Sequence, residues 1–304
     1  MELRWLEDYL VLAETLNFSR ASEIRHITQP AFSRRIRALE DWVGTPLFSR
    51  TTHVVALTPA GEHFRIHAEA LARQSHQLRR DTHEIGQSKK SGLTFAATHA
   101  LSFTFFPGWV RRFDDMLTMG TFNLVSDSLE RCEQFMLRGD AQFLLCHYHP
   151  AMGSALDDTG FARIKVGQDI LIPMSAPAPD GTAKWHPGLG TNIPWLAYST
   201  QSGLGRIVTA EEAPKHAKLA SKAGFTSHLA ATLLSMVKAG TGIAWLPRTL
   251  AASELEEGSL VPFGGPELQI PVDICLFRPK ARQKHLVEKF WENVSENELN
   301  ASKK

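Results

Sequence analysis

The sequence predicts an α/β protein built in three successive parts. These are a short helical domain closed by a wing-like pair of strands, one long helix, and a larger half in which strands and helices alternate. Three observations carry that prediction. Residues 18–50 hold two short amphipathic segments, and only the second, QPAFSRRIRALEDWV, has a basic face. Phe64, Leu71, Leu78 and Ile85 then recur every seven residues, the spacing of a seam between helices. From residue 93 onward short apolar runs alternate with helical ones, and that order implies a parallel sheet with helices on its faces.

Bulk properties narrow the classes. At 304 residues the chain suits two or three domains rather than one core. A net charge of +1 gives no global pull toward nucleic acid, so any such binding has to come from a local patch. Residues 20–50 supply one, with six Arg against three acids. Cys132, Cys146 and Cys275 are few and far apart, which argues against a disulfide framework and for a reducing compartment. The amino terminus MELRWLEDYL is not of signal-peptide kind, and no apolar run nears the roughly 20 residues that span a bilayer. A cytoplasmic protein without a membrane partner is expected.

Leu3, Leu6, Leu10 and Ala13 sit at helical spacing, so residues 2–15 form a first helix with one buried stripe. Phe18 closes it and Ser19 is placed to cap the second helix, where Ala21 and Ile24 face inward. Thr28 caps the third helix, and Pro30 falls in its first turn, where a missing N–H does no harm. Phe32, Ile36, Leu39 and Val43 make its apolar stripe, and Gly44 ends it. Gln29, Ser33, Arg34 and Arg37 lie on another face. An α-helix fits the DNA major groove, where Arg pairs with guanine and Gln with adenine, while Thr28 and Ser33 suit phosphate or base contacts. The same face would also serve as the solvated side of a three-helix bundle. The run PLFSRTTHVVALTPAG adds two short strands around a polar tip, which sets Arg50 and Thr51 beside the backbone or minor groove and favours the DNA reading.

Thr58 or the turn before it starts a long helix, with Pro59 in its first turn. Its His63 and His67 are four apart, but no zincin carboxylate accompanies them and no metal is expected. Lys89-Lys90-Ser91-Gly92 is a polar hinge. Beyond it, residues 93–98 read as a strand, 101–114 as a helix, 121–126 as a strand, 128–138 as a helix and 141–148 as a strand. Residues 162–175 are apolar and long enough to cross between two lobes, and 177–190 form a Pro/Gly-rich loop. A second unit follows: a strand at 193–199, a helix near Gly205–Glu212, a strand within 216–225, a helix at 227–239 and a strand at Ile243–Pro247. Residues 268–279 are extended, and a helix at 282–296 returns to the first lobe.

Ligands of open α/β sheets bind beyond the carboxyl ends of strands, near helix amino termini. Three such ends carry small polar residues: Thr98-His99-Ala100-Leu101-Ser102, Ser199-Thr200-Gln201-Ser202 and Thr226-Ser227-His228. Their hydroxyls and backbone N–H groups suit a polar or anionic small molecule; plain helix capping is the other reading. Cys146-His147-Tyr148-His149 has the residue types of a metal site or a nucleophile–base pair. Strand alternation puts Cys146 and His147 on opposite sides and no oxyanion-hole signature accompanies them, so a structural Cys and a cleft-edge His147 are expected. Gly203-x-Gly205 and Gly240-x-Gly242 fall short of a dinucleotide fingerprint and no Walker A run is present. Neither an enzyme nor a cofactor is expected.

Leu3 through Gly61 resembles the amino-terminal domain of LysR-type transcriptional regulators. The resemblance rests on Phe18-Ser19-Arg20-Ala21, Gln29-Pro30-Ala31-Phe32-Ser33, Ile36, Leu39-Glu40, Gly44, Leu47-Phe48, Arg50 and Leu57-Thr58-Pro59-Ala60-Gly61. Ser22 and Thr28 depart from the usual Ala and Ser. In the second half, Gly240-x-Gly242-Ile243-Ala244-x-Leu246-Pro247 is similar to a recurrent late motif of the family. The resemblance implies a winged helix-turn-helix at 1–58, a dimerising linker helix at 59–90, and a two-lobed, periplasmic-binding-protein-like effector domain. Lobe I would comprise 91–165 and 267–304, and lobe II 166–266, with the inducer in the cleft between them. Ser19, Arg20, Thr28, Gln29, Pro30, Ser33, Arg34, Arg37, Arg50 and Thr51 become the DNA-contact candidates. Thr98, His99, Ser102, His147, Ser199, Gln201, Ser202, Thr226, Ser227 and His228 become the effector candidates. Partners expected on this basis are double-stranded operator DNA, a small effector, further copies of the chain as a dimer or tetramer, and RNA polymerase if the output is activation.

QPAFSRRIRALE, Ala97-x-His99-x-Leu101-Ser102 and Gly242-Ile243-Ala244-Trp245-Leu246-Pro247 are most similar to hypochlorite-responsive members, whose sensors are methionines. Leu204 and His228 stand where two such methionines would be expected. Neither can undergo thioether oxidation, which favours an organic effector over an oxidant. A solute-binding protein and a hydrolase built on Cys146 and His147 are the readings of other classes.

Overall fold

The computed structural model describes residues 2–50, 55–87, 92–113, 120–156, 160–187, 193–211, 219 and 222–301. Thr51 and, of the expected hinge, Lys89, Lys90 and Ser91 lie outside the described residues, while Gly92 opens a strand. The chain parts into two compact units, the first made by residues 1–89 and the second by nearly all of 90–304.

The first unit runs α1 (Leu3–Thr15), α2 (Phe18–Ile24), α3 (Gln29–Val43), β1 (Phe48–Arg50), β2 (Val55–Leu57) and α4 (Pro59–Gln87). Leu6, Tyr9, Leu12, Ala21, Phe32, Ile36 and Leu39 are fully buried in its core. Two expectations shift. Leu3 is 45% and Ile24 49% exposed; the inward face of α1 is set instead by Leu6, Tyr9, Leu12 and Ala13. The cap of α2 is Asn17, whose side chain accepts the Arg20 N–H at 3.0 Å, and Ser19 lies one residue inside the helix. Thr28 occupies the N-cap position of α3 without a side-chain cap bond. Gly44 ends α3 in the left-handed conformation, φ 83°, and returns its N–H to the Glu40 carbonyl.

A single carboxylate organises the helix pair. Asp8 is wholly buried on α1, with Arg25 Nε at 2.6 Å on one oxygen and Arg35 Nη1 at 3.2 Å on the other. Arg25 also reaches Glu7 at 2.6 Å. Burial works against the Arg25 charge, but the bonds to Asp8 and Glu7 outweigh it and raise its pKa. At the far end of α3, Glu40 Oε1 accepts the N–H groups of Leu47 and Phe48 at 3.0 and 3.1 Å, which fixes the start of β1 against the helix. Phe48 to Arg50 pair antiparallel with Leu57 to Val55. Thr58 Oγ1 accepts the Gly61 N–H at 2.9 Å and opens α4. Any side chain at Gly61 would collide with the Leu47 carbonyl. The heptad positions of α4 divide: Phe64 packs edge-on against Tyr9 and Ala68 and Ala72 are buried, whereas Leu71 is 45% and Leu78 69% exposed. The Ile85 side chain lies outside what is described.

The second unit holds β3 (Gly92–Thr98), α5 (His99–Thr104), α6 (Phe106–Val110), β4 (Thr121–Asp127), α7 (Leu129–Arg138), β5 (Phe143–Tyr148) and β6 (Phe161–Ser175). It continues with β7 (Leu196–Tyr198), α8 (Gly203–Ala210), β8 (Phe225–Ser227), α9 (Ala230–Lys238), β9 (Ala244–Pro247), α10 (Ala252–Glu256), β10 (Val261–Pro262), β11 (Ile270–Pro279) and α11 (His285–Ala301). The helix expected at 101–114 is two short ones, because Pro107 has no N–H with which to continue α5. The strand expected within 216–225 starts at Phe225.

The sheet is mixed rather than parallel. Its order is β10-β6-β11-β5-β3-β4, with β9 also on β6; β4, β3 and β5 run parallel, while β11 and β6 join antiparallel. The 15-residue β6 explains the difference. It serves two cores in turn, with Val166 packed in the first beside Phe95, Phe143 and Phe290, and Ile172 and Met174 in the second beside Leu196, Leu233 and Leu246. β11 pairs with it from Phe161↔Pro279 to Leu171↔Ile270, so two bonded strands cross together between the cores.

Candidate functional site

On the first unit, Ser19, Arg20, Thr28, Gln29, Pro30, Arg34 and Arg37 are exposed and Ser33 is partly so. Phe32, Ile36 and Leu39 occupy the opposite side of α3. Of the six arginines counted in this stretch, Arg25 and Arg35 are spent on Asp8 and do not belong to the outward patch. That leaves Arg20, Arg34 and Arg37 outward on the described surface. Arg50 is placed by its backbone in β1; its side chain lies outside what is described.

On the second unit, the ends of β3, β4 and β5 meet the starts of α7, α8 and α9. A cavity of about 30 Å³ there is lined by Thr98, His99, Ala100, Asp127, Ser128, Leu129, His147, Ser202, Gly203, Leu204, His228 and Ala230. Thr98, His99, His147, Ser202 and His228 are thus brought together from the three polar strand ends and β5. Ser102 stands one step back, its Oγ 3.0 Å from Ser126 Oγ, which also meets His99 Nδ1 at 3.0 Å. Ser199, Gln201, Thr226 and Ser227 do not line the cavity. The Ser199 N–H donates to the Ser227 carbonyl and Ser227 Oγ accepts the Leu229 N–H, so these residues join strand ends. The Gln201 carbonyl accepts the Glu130 N–H at 3.5 Å, a bond from one core to the other.

Asp127 and Ser128 were not singled out, although residues 121–126 followed by a helix at 128 repeat the same strand-end pattern. Leu129, Gly203 and Leu204 carry no polar signal and enter through packing alone.

Polar side-chain contacts bridge the two sides of the cleft. Glu133 on α7 receives Arg206 from α8 at 3.0 Å, and His149 Nδ1 lies 3.2 Å from Glu211. His147, buried on β5, turns Nε2 to Asp169 at 3.3 Å. Asp169 also accepts Thr249 Oγ1 at 2.5 Å and the Ile170 N–H at 2.8 Å. Burial pushes the Asp169 carboxyl up, but these bonds, His147 first, hold it below the usual range. Burial likewise pushes the Tyr198 phenol, which donates to the Trp245 carbonyl, far above its ordinary value. Cys146 faces Cys275 across the β5–β11 ladder, on the opposite side of the strand from His147, so thiol and imidazole are not a nucleophile–base pair. His63 and His67 touch edge to face, 4.9 Å between centroids, and among the described residues no three His, Cys, Asp or Glu gather as a metal site. No helix among them is long and apolar enough to cross a membrane.

Residues 3–62 match the family model of the bacterial regulatory helix-turn-helix protein, lysR family, and residues 86–298 that of the LysR substrate binding domain. The chain belongs to the LysR family. It is a DNA-binding transcriptional regulator with an effector-binding domain. Among its relatives, the regulator YjiE of Escherichia coli is 28% identical over 300 residues, 98% of this chain and 96% of that one. The full-length structure of HypT from Salmonella typhimurium, a hypochlorite-specific LysR-type regulator, is 30% identical with a TM-score of 0.59 and covers 97% of both chains. Vibrio fischeri DarR in complex with DNA is 31% identical with a TM-score of 0.58, over 97% of this chain and 98% of that one.

Proposed function

We propose that this LysR regulator reads operator DNA with Gln29, Ser33, Arg34 and Arg37 of α3, with Ser19, Arg20, Thr28, Pro30, Arg50 and Thr51 positioning the backbone, and that a small polar or anionic molecule in the cleft of the second unit sets its activity. The observation that carries this reading is the convergence on one cavity of hydroxyls and helix starts from both cores. A ligand seated there touches both sides at once, so it binds open and closed arrangements unequally, which is what a switch requires. Exposed Leu71 and Leu78 on α4 supply a seam for a second copy, and a dimer or tetramer would present two or more reading helices to half-sites about one helical turn apart. RNA polymerase is the further partner if the output is activation. Oxidation is the weaker reading, because Leu204 and His228 line the cavity and, among the described residues, no methionine does.

The test is a mobility-shift titration on an operator selected from random duplexes. Arg34→Ala should cost about 1–3 kcal/mol on the selected site if it reads a base, with little change on unrelated DNA. Equal losses on both would make Arg34 a phosphate contact, and an unchanged affinity would remove α3 from the interface.

A further inference from the structure

The cavity is small for an organic effector. Its 30 Å³ is only two to three times the roughly 10–15 Å³ that one water needs, so an aromatic or amino acid would have to part the two cores to enter. Its lining is nevertheless rich in donors. Ser128 and Ser202 are more than nine-tenths buried, and their Oγ atoms accept the N–H groups of Arg131 and Gly205. Among the described residues neither hydroxyl hydrogen has an acceptor. Thr98 Oγ1 is buried without a partner. Ser128 precedes the ten-residue α7 and Ser202 the eight-residue α8, whose starts carry partial positive charge. Among the described residues neither Lys nor Arg lines the cavity, and Asp127 adds a negative charge.

The remedy within reach is a proton. His99 stands on the first core and His228 on the second, their ring centroids 5.7 Å apart. We infer that the cleft takes a compact monoanion, of the size of bromide, formate or nitrate, together with one proton carried by the His99–His228 pair. This rests on the reading of the cleft as the effector site and adds the class of ligand and its coupling to pH.

The groups that face the pair are few. Asp127 and Ser126 come from β4, Ser102 from α5, and His147 from β5 with Asp169 of β6 behind it. Burial lowers the His99 pKa, the Asp127 charge opposes this, and the neighbouring His228 lowers it further. His99 therefore carries less charge than an ordinary histidine at the same pH. An anion between the rings offsets both burial and His–His repulsion, so it draws a proton in with it. The sign follows. A His pKa below its ordinary 6.5 contributes stability that is present above that value and lost as pH falls through it. The anion reverses this trend, and its affinity rises as pH falls.

Calorimetric titration of the full chain with sodium bromide, formate and nitrate, in chloride-free buffers, tests the coupling. Affinity should weaken about tenfold per pH unit above neutrality, with close to one proton taken up per anion in buffers of different ionisation heat. His228→Gln and His99→Gln should bind more weakly and lose most of the pH dependence. Ser128→Ala should weaken binding by a similar factor at every pH and keep the slope. Binding that ignores pH, or a slope that survives both His substitutions, overturns the inference and leaves the cleft reading intact. If no compact anion binds at any pH the inference falls. An uncharged or larger compound that then raises the melting temperature of the wild type, but not of a cleft-filling Ala100→Leu variant, would preserve the cleft reading; none doing so would end both.

Discussion

Each unit has a buried carboxylate that joins separate elements, Asp8 in the first and Asp169 in the second, and these two are partnered differently. Asp8 is held by Arg25 and Arg35, cations that keep their charge across the physiological range. Asp169 is held by His147 and Thr249, a titratable ring and a neutral hydroxyl. The first arrangement is a fixed brace: it ties α1 to the end of α2 and to α3. The second is adjustable, because the ring that touches Asp169 also lines the ligand cavity. A buried charge is costly to strand wherever it sits; whether it stiffens or transmits depends on whether its partner can change state.

That contrast can be broken most severely at Asp8. Asp8→Asn leaves two arginines without their shared partner and should cost about 3 kcal/mol of first-unit stability, read as an earlier transition in urea denaturation. A loss under about 1 kcal/mol would mean that solvent and Glu7 suffice for Arg25. Asp169→Asn should cost about 2 kcal/mol in the second unit. The wild-type carboxyl is held below its ordinary pKa of 3.8, so its contribution is present above that value and lost only as pH falls further. The gap between wild type and variant should therefore stay constant from pH 8 to pH 5, and a gap that closes within that range would show that the Asp169 carboxyl is not held below its ordinary value. The smallest effect is expected at Glu40. Glu40→Gln weakens two bonds to the Leu47 and Phe48 N–H groups and should cost about 1 kcal/mol. Faster amide exchange confined to those two positions would show a brace local to β1, whereas faster exchange throughout α3 would extend it to the reading helix.

Much of the fold is legible where local rules suffice. The stripe of Phe32, Ile36 and Leu39, the Gly44 stop, the Thr58 cap and the alternation after residue 93 need only neighbours a few residues apart. The site is legible by half. Thr98, His99, His147, Ser202 and His228 stand at strand ends whose polar residues are visible in the chain, whereas Ser199 and Ser227 look alike in sequence and instead bond to each other's loop. The arginine patch misleads for the same reason: Arg34 and Arg35 are adjacent, yet one faces out and the other reaches Asp8, 27 residues away.

Sequence by itself determined the order of parts, the buried stripe and polar face of α3, and the membership of the family, because periodicity, caps and motif spacing are local properties of a chain. Tertiary structure alone decided which arginines remain outward, that β6 and β11 turn an expected parallel sheet into a mixed one, and that His99 and His228 confront each other across a cavity of a few atoms. Those outcomes depend on separate segments meeting, and pairing energies between residues far apart in the chain leave no mark on the local pattern of either.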